Sequence, residues 1–163
     1  MNILNHHKIE QKIKRLAIEI LERNTDENEL IVAGINNSGL RFASLIVAEL
    51  KRLASSPIHL TRIQLNPANP LDDPITIDMP IEEITGKTIL VVDDVANTGR
   101  TLFYACKPLL EIIPKKIEVA VLVDRTHKSF PIHVDYVGLS LATTLRENID
   151  VTLEDGAYSV SLL

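Results

Sequence analysis

The chain has a single cysteine, Cys106. No intrachain disulfide can form, and no cysteine cluster is available for zinc. Positive charge is also in deficit, with 17 Lys and Arg against 22 Asp and Glu and a net charge of -5. That excludes a global attraction to nucleic acid or to an anionic membrane, although local basic patches remain open. No apolar run approaches the ~18 residues that a membrane span requires. Met1 to Glu10 is polar and carries His6, His7 and Lys8, where a signal peptide would need an apolar core. A cytoplasmic location is the expectation. Internal repeats are absent.

What is present fits one domain over residues 1–163 with a core of ordinary size. Ile9, Ile13, Leu16, Ala17, Ile20 and Leu21 recur at helical spacing and predict a first helix ending near Asn24. Leu30 to Ala33, ending in Gly34, reads as a buried strand. Leu40 to Leu53 is again helical, with Arg41, Glu49, Lys51 and Arg52 facing water. Ile58, Leu60, Ile63 and Leu65 suggest a strand with a phase change at Arg62. Asn66 to Pro80 holds four prolines and the adjacent Asp72 and Asp73, and predicts a long exposed loop. Thr88 to Val92 is the clearest strand; it enters a turn at Asp93, and a helix follows from Gly99. Pro108 should break that helix, because it lacks a backbone donor. Ile117 to Val123 and Val134 to Leu139 are further strands, and Asp155-Gly156 marks a closing hairpin. Strands alternating with helices predict an α/β fold with a doubly wound, mainly parallel sheet.

Most of the chemistry lies in Val91-Val92-Asp93-Asp94-Val95-Ala96-Asn97-Thr98-Gly99-Arg100-Thr101. A strand delivers two carboxylates at its carboxyl end, where α/β sheets bind ligands. The turn beyond it offers unpaired N–H groups at a helix start, an arrangement that receives phosphate. Thr98 and Thr101 add hydroxyl donors, and Gly99 lets the backbone come close to an anion. Asp93 and Asp94 repel phosphate and suit hydroxyl donors instead. A ligand combining a phosphate with a diol, such as a ribose 5-phosphate, satisfies both halves. Capping alone would explain either Asp94 or Thr98 singly, but not the whole constellation.

This segment resembles the phosphoribosyl pyrophosphate (PRPP) motif of the type I phosphoribosyltransferases. The resemblance implies that Asp93 and Asp94 hold the ribose hydroxyls, while Val95, Ala96, Asn97, Thr98, Gly99, Arg100 and Thr101 hold the 5-phosphate. It places pyrophosphate at Ile35, Asn36, Asn37, Ser38 and Gly39, with Arg41 as a charge partner. Ala120 to Lys128 and Pro131 to Gly138 are similar to the bifunctional pyrimidine operon attenuator/uracil phosphoribosyltransferase proteins. A secondary likeness runs to hypoxanthine-guanine phosphoribosyltransferases. The base pocket implied is Asp124, Arg125, Val137, Gly138 and Leu139, and the fold implied adds a small hood and a C-terminal hairpin to the sheet. His127 and His133 read as ordinary surface residues. Mg²⁺ would be carried with PRPP, and a homodimer or higher homo-oligomer is implied.

Asn97 stands where the oxopurine enzymes carry an acid, and an amide cannot act as a general base. That counts against guanine or hypoxanthine, and the family likeness implies a pyrimidine such as uracil instead. Leu65-Asn66-Pro67 replaces an aromatic-Arg-Asp stretch, and Leu139-Ser140-Leu141-Ala142 replaces a segment with a basic or aromatic residue and a proline. The loop through Pro80 has no Lys or Arg to close over pyrophosphate. Two readings stay open: a uracil-type phosphoribosyltransferase, and a non-catalytic regulator sensing PRPP or a nucleotide and binding RNA. RNA would need a basic face; Lys8, Lys12, Lys14, Arg15, Arg23, Lys51 and Arg52 are candidates, although such charges on amphipathic helices usually form a solvated face.

Overall fold

The computed structural model describes residues 1–142 and 147–163. Helix α1 (His6–Arg23) starts earlier than its apolar stripe, because the Asn5 side chain caps it by accepting from the Lys8 N–H at 2.9 Å. It ends at Asn24, and Ile9, Ile13, Leu16, Ala17 and Ile20 form its buried face. Strand β2 (Leu30–Ile35) is buried throughout and passes directly into α2 (Asn36–Leu53). Residues 36–39, ahead of the helix expected from Leu40, thus form its first turn. Gly39 explains the tight start, since a Cβ there would lie 2.8 Å from the Val92 carbonyl oxygen.

Strand β3 (Ile58–Gln64) shows the expected phase change. Ile58 packs with α1 and α2, whereas Ile63 and Leu65 join the core on the opposite face. The proline-rich stretch contains a short strand, β4 (Thr76–Ile77), antiparallel to β3. Strand β5 (Thr88–Ala96) runs past Asp93, because pairing with β6 (Lys116–Arg125) keeps it extended to Ala96. Helix α3 (Arg100–Ala105) stops before Pro108, which lies in a 3-10 turn at Lys107–Glu111. Strand β7 (Tyr136–Leu141) follows, then the hairpin β8 (Ile149–Glu154) and β9 (Ala157–Leu162). A strand that the periodicity did not reveal, β1 (Asn2–Leu4), pairs antiparallel with β9.

The main sheet has the order β4-β3-β2-β5-β6-β7 and is parallel except at β4. The small sheet is β1-β9-β8. One core joins α1, α2 and the small sheet to one face of the main sheet. The other core packs Ile84, Leu102, Ala105 and Leu109 on the opposite face. This is a doubly wound α/β arrangement. Among the described residues no helix is long and apolar enough to cross a membrane.

A buried polar knot ties α1 to the sheet. Asn24 Nδ2 donates to Glu118 Oε1 at 2.9 Å, and the Tyr136 hydroxyl donates to Glu118 Oε2 at 2.9 Å. Burial and the Glu118 carboxylate raise the Tyr136 pKa well above that of a free phenol, so its proton stays in this bond. Tyr136→Phe removes the donor and leaves a buried carboxylate oxygen short of a partner. The variant is expected to lose about 1–3 kcal/mol of stability, measured as a lower urea midpoint with an unchanged slope.

Candidate functional site

After β2 the chain moves to β3 on one side, and later returns to place β5 on the other. The strand order therefore reverses between β2 and β5, and the connections leaving these two strands diverge. Open α/β sheets bind ligands at that crevice, beyond the carboxyl ends of the strands. The β2–α2 junction, at residues 35–39, and the β5–α3 turn, at residues 97–99, flank it. The first junction packs against the end of β5, for a Cβ on Gly39 would come within 3.3 Å of Asp93 Oδ1.

Asp93 and Asp94 stand at the end of β5. Asp93 is buried and Asp94 half-buried. The Asp94 N–H donates to Asp93 Oδ1 at 2.9 Å, and the Val95 N–H donates to Asp94 Oδ1 at 2.8 Å. Burial, and then the neighbouring Asp94 carboxylate, push Asp93 well above the usual carboxylate range. Burial thus opposes the charged form of Asp93, and hydrogen-bond donors would stabilise it. Sugar hydroxyls are such donors.

Val95 to Leu102 line a cleft of about 570 Å³, together with Pro67, Ser129 and Phe130. Gly99 turns the chain with φ 88° and carries the first helical residue, Arg100. Helix α3 has six residues, so its dipole is small, and the donors are the turn's own N–H groups with the Thr98 and Thr101 hydroxyls. The Thr98 carbonyl accepts from the N–H groups of Ser129 (2.9 Å) and Phe130 (3.2 Å). A segment beyond β6 is thereby folded against the turn. Arg100 does not face the cleft alone: its Nη2 donates to the Pro67 carbonyl at 2.7 Å and pins the start of the long loop. Pro67, Ser129 and Phe130 were not legible as site residues. The aromatic contacts of Phe130 with Phe103 and Tyr104, at 5.7 and 6.2 Å between centroids, come from chain segments far apart in sequence.

The second junction is largely occupied by its own side chains. Asn36, at φ 52°, pairs with the Leu65 backbone on both sides: Nδ2 to the carbonyl at 2.9 Å, and Oδ1 from the N–H at 3.0 Å. Asn37 and Ser38 are exposed, and Ile35 and Gly39 are buried. Arg41 is exposed one helical turn beyond Asn37. Along the sheet, Asp93, Val121 and Val137 form one row, and Val95, Val123 and Leu139 the next. Val137 and Leu139 are therefore level with the acids but two strands away, roughly 10 Å. Gly138 is buried against Leu122. Asp124 is paired with Lys128 at 2.7 Å, and Arg125 is buried with Nη2 donating to the Glu147 carbonyl. These five residues thus present backbone and shape more than free charge.

A profile of the phosphoribosyl transferase domain family matches residues 1–155. The chain is 36% identical over 172 residues to the bifunctional protein PyrR of Microcystis aeruginosa, covering 100% of this chain and 97% of that protein. It is 32% identical to the bifunctional protein PyrR of Bacillus subtilis, covering 94% and 90%. Among solved structures, the hypoxanthine phosphoribosyltransferase of Trypanosoma cruzi aligns with a TM-score of 0.79 at 18% identity, covering 99% and 95%. A hypoxanthine-guanine phosphoribosyltransferase of Bacillus anthracis aligns with a TM-score of 0.72 at 22% identity, covering 86% and 81%. At these identities the structural matches speak to the fold.

Proposed function

Starting from the fact that the chain belongs to the phosphoribosyl transferase domain family, we propose that it transfers 5-phosphoribose from PRPP to uracil. The observation that carries this reading is the meeting of an acid pair, Asp93 buried and Asp94 half-buried, with a donor-lined turn at the strand-order reversal. In the reaction the bond from ribose C1′ to pyrophosphate breaks and a bond to the base nitrogen forms. The base N–H proton leaves to water. Asp93 and Asp94 accept from the 2′- and 3′-hydroxyls and fix the ring, whose positive charge in the transition state their carboxylates favour. Asn97 to Thr101 hold the 5-phosphate. The all-oxygen donor set of Asp93 and Asp94 suits Mg²⁺, which would be held mostly by PRPP oxygens and would neutralise the departing pyrophosphate. Asn97 lies exposed on the cleft, and its amide cannot take a purine proton. Family likeness also supports a cytoplasmic homodimer.

A second reading, a regulator that senses PRPP or a nucleotide and binds RNA, is favoured by one observation. Lys8, Lys12 and Arg15 line a groove of about 480 Å³ with Ile3, Leu4 and Leu139, and no carboxylate lines it. Pyrophosphate release from PRPP and Mg²⁺, with uracil, hypoxanthine, guanine and adenine tested separately, decides between them. The expected result is release with uracil at least about tenfold above any purine, a difference of ~1.4 kcal/mol in transition-state binding. Faster release with a purine would refute the role given to Asn97. PRPP binding without release from any base would favour the regulator.

A further inference from the structure

We propose that Arg62, on β3, is the side chain that binds the pyrophosphate end of PRPP, a positive charge that the loops of the site do not supply. This rests on the PRPP reading above. Neither residues 35–39 nor residues 66–80 contain a Lys or Arg. The helix start offers backbone N–H groups and about half a positive charge, too little for a multiply charged anion.

Arg62 comes from the neighbouring strand. It lies opposite Gly34 in the β2–β3 ladder, one residue below the junction. Its Nη1 donates to Asn37 Oδ1 at 3.1 Å, on the first turn of α2. Arg41 follows Asn37 by four residues, which puts both on one face of that helix. Two cations therefore bracket an exposed Asn37.

The guanidinium also has capacity to spare. Of its five N–H donors, one is in a hydrogen bond of good geometry within the described residues. Its Nε is buried without a hydrogen-bond partner and lies 3.4 Å from Asp78 Oδ2. Asp78 is itself shared, because its Oδ1 accepts from Gln64 Nε2 at 2.8 Å. Arg62 is thus held loosely at the junction, and its side chain is 32% exposed. A phosphate oxygen pair fits its planar fork better than one carboxylate oxygen at that distance. Arg100, in the β5–α3 turn, is engaged with the Pro67 carbonyl.

The test is calorimetric titration of Arg62→Gln with PRPP and Mg²⁺ and, separately, with ribose 5-phosphate, which lacks the pyrophosphate. PRPP affinity is expected to fall roughly 10- to 100-fold, as for the loss of a charge-assisted pair. Ribose 5-phosphate affinity should stay within about twofold. Unchanged PRPP affinity, or an equal loss of both ligands, overturns the proposal and leaves the PRPP site standing. Failure of the unaltered protein to bind either ligand removes the underlying reading, and the proposal with it. Should Arg62→Gln not fold, Asp78→Asn decides: freeing Arg62 should tighten PRPP about 2- to 5-fold, and unchanged or weaker binding overturns the proposal.

Discussion

Gly99→Ala is expected to abolish measurable ribose 5-phosphate binding and to lower the melting temperature by several degrees. Two costs combine at this position. A φ of 88° is unfavourable for any residue with a side chain, at about 1–3 kcal/mol. The new Cβ would also stand 2.5 Å from Ile132 Cγ2 and 3.3 Å from Lys128 Cδ. Relief requires the turn to open or the 126–132 segment to withdraw, and that segment is bonded to the Thr98 carbonyl. Either movement rearranges the N–H and hydroxyl donors of the turn, to which the 5-phosphate is assigned in the proposed reaction. Gly86→Ala is the control: its φ is 74°, yet nothing lies within 4 Å of the added Cβ. It should lose about 1 kcal/mol from backbone strain alone and keep full binding. Normal ribose 5-phosphate affinity in Gly99→Ala, read by calorimetry beside the control, would remove the phosphate from this turn.

Much of this was legible because it is local. The run Thr88 to Val92 fixes β5 by its own β-branched and apolar content, and ligands of open α/β sheets gather beyond the carboxyl ends of such strands. The stripe from Ile9 to Ile20 defines α1 without reference to anything else. Asp155-Gly156 closes β8 on β9, with Gly156 at φ 77°. The motif from Asp93 to Thr101 is contiguous, so its place at the end of β5 and the start of α3 is readable in the sequence.

What was not legible depends on partners distant in sequence. The three residues of β1 are a strand only because β9 offers an edge, with Leu4 opposite Val160. β4 exists because Ile63 and Gln64 of β3 have open pairing groups for Ile77 and Thr76. The early start of α2 depends on the fit of Gly39 beneath Val92, and on Asn36 bonding the Leu65 backbone. No periodicity encodes either contact. Arg62 illustrates the same limit. In the sequence it marked a phase change in a strand, and only the strand order places it beside the first turn of α2.

Asp93→Asn is expected to make the free protein more stable and almost inactive. The carboxyl group is buried, 7% exposed, and its pKa is raised by burial first and by Asp94 second. For a group raised in the folded state, its contribution to stability is complete below the unfolded carboxylate pKa of about 3.9. That contribution is lost as pH rises through the folded value. Above that folded value the native protein carries a poorly solvated charge beside a second carboxylate, and below it the buried group is neutral. The amide introduced by Asp93→Asn keeps an oxygen to accept from the Asp94 N–H while removing the charge. The variant should gain about 1–3 kcal/mol at pH 8, or several degrees in melting temperature, with the gain shrinking toward pH 4. Pyrophosphate release should fall about 100-fold or more, because a neutral amide offers one acceptor to the ribose hydroxyls and no negative charge to the cationic ring. PRPP affinity in the unaltered protein should rise with pH over the range in which Asp93 ionises, because the hydroxyls bind its charged form. A variant less stable than its parent at pH 8, or one with full turnover, would place the working charge on Asp94 alone.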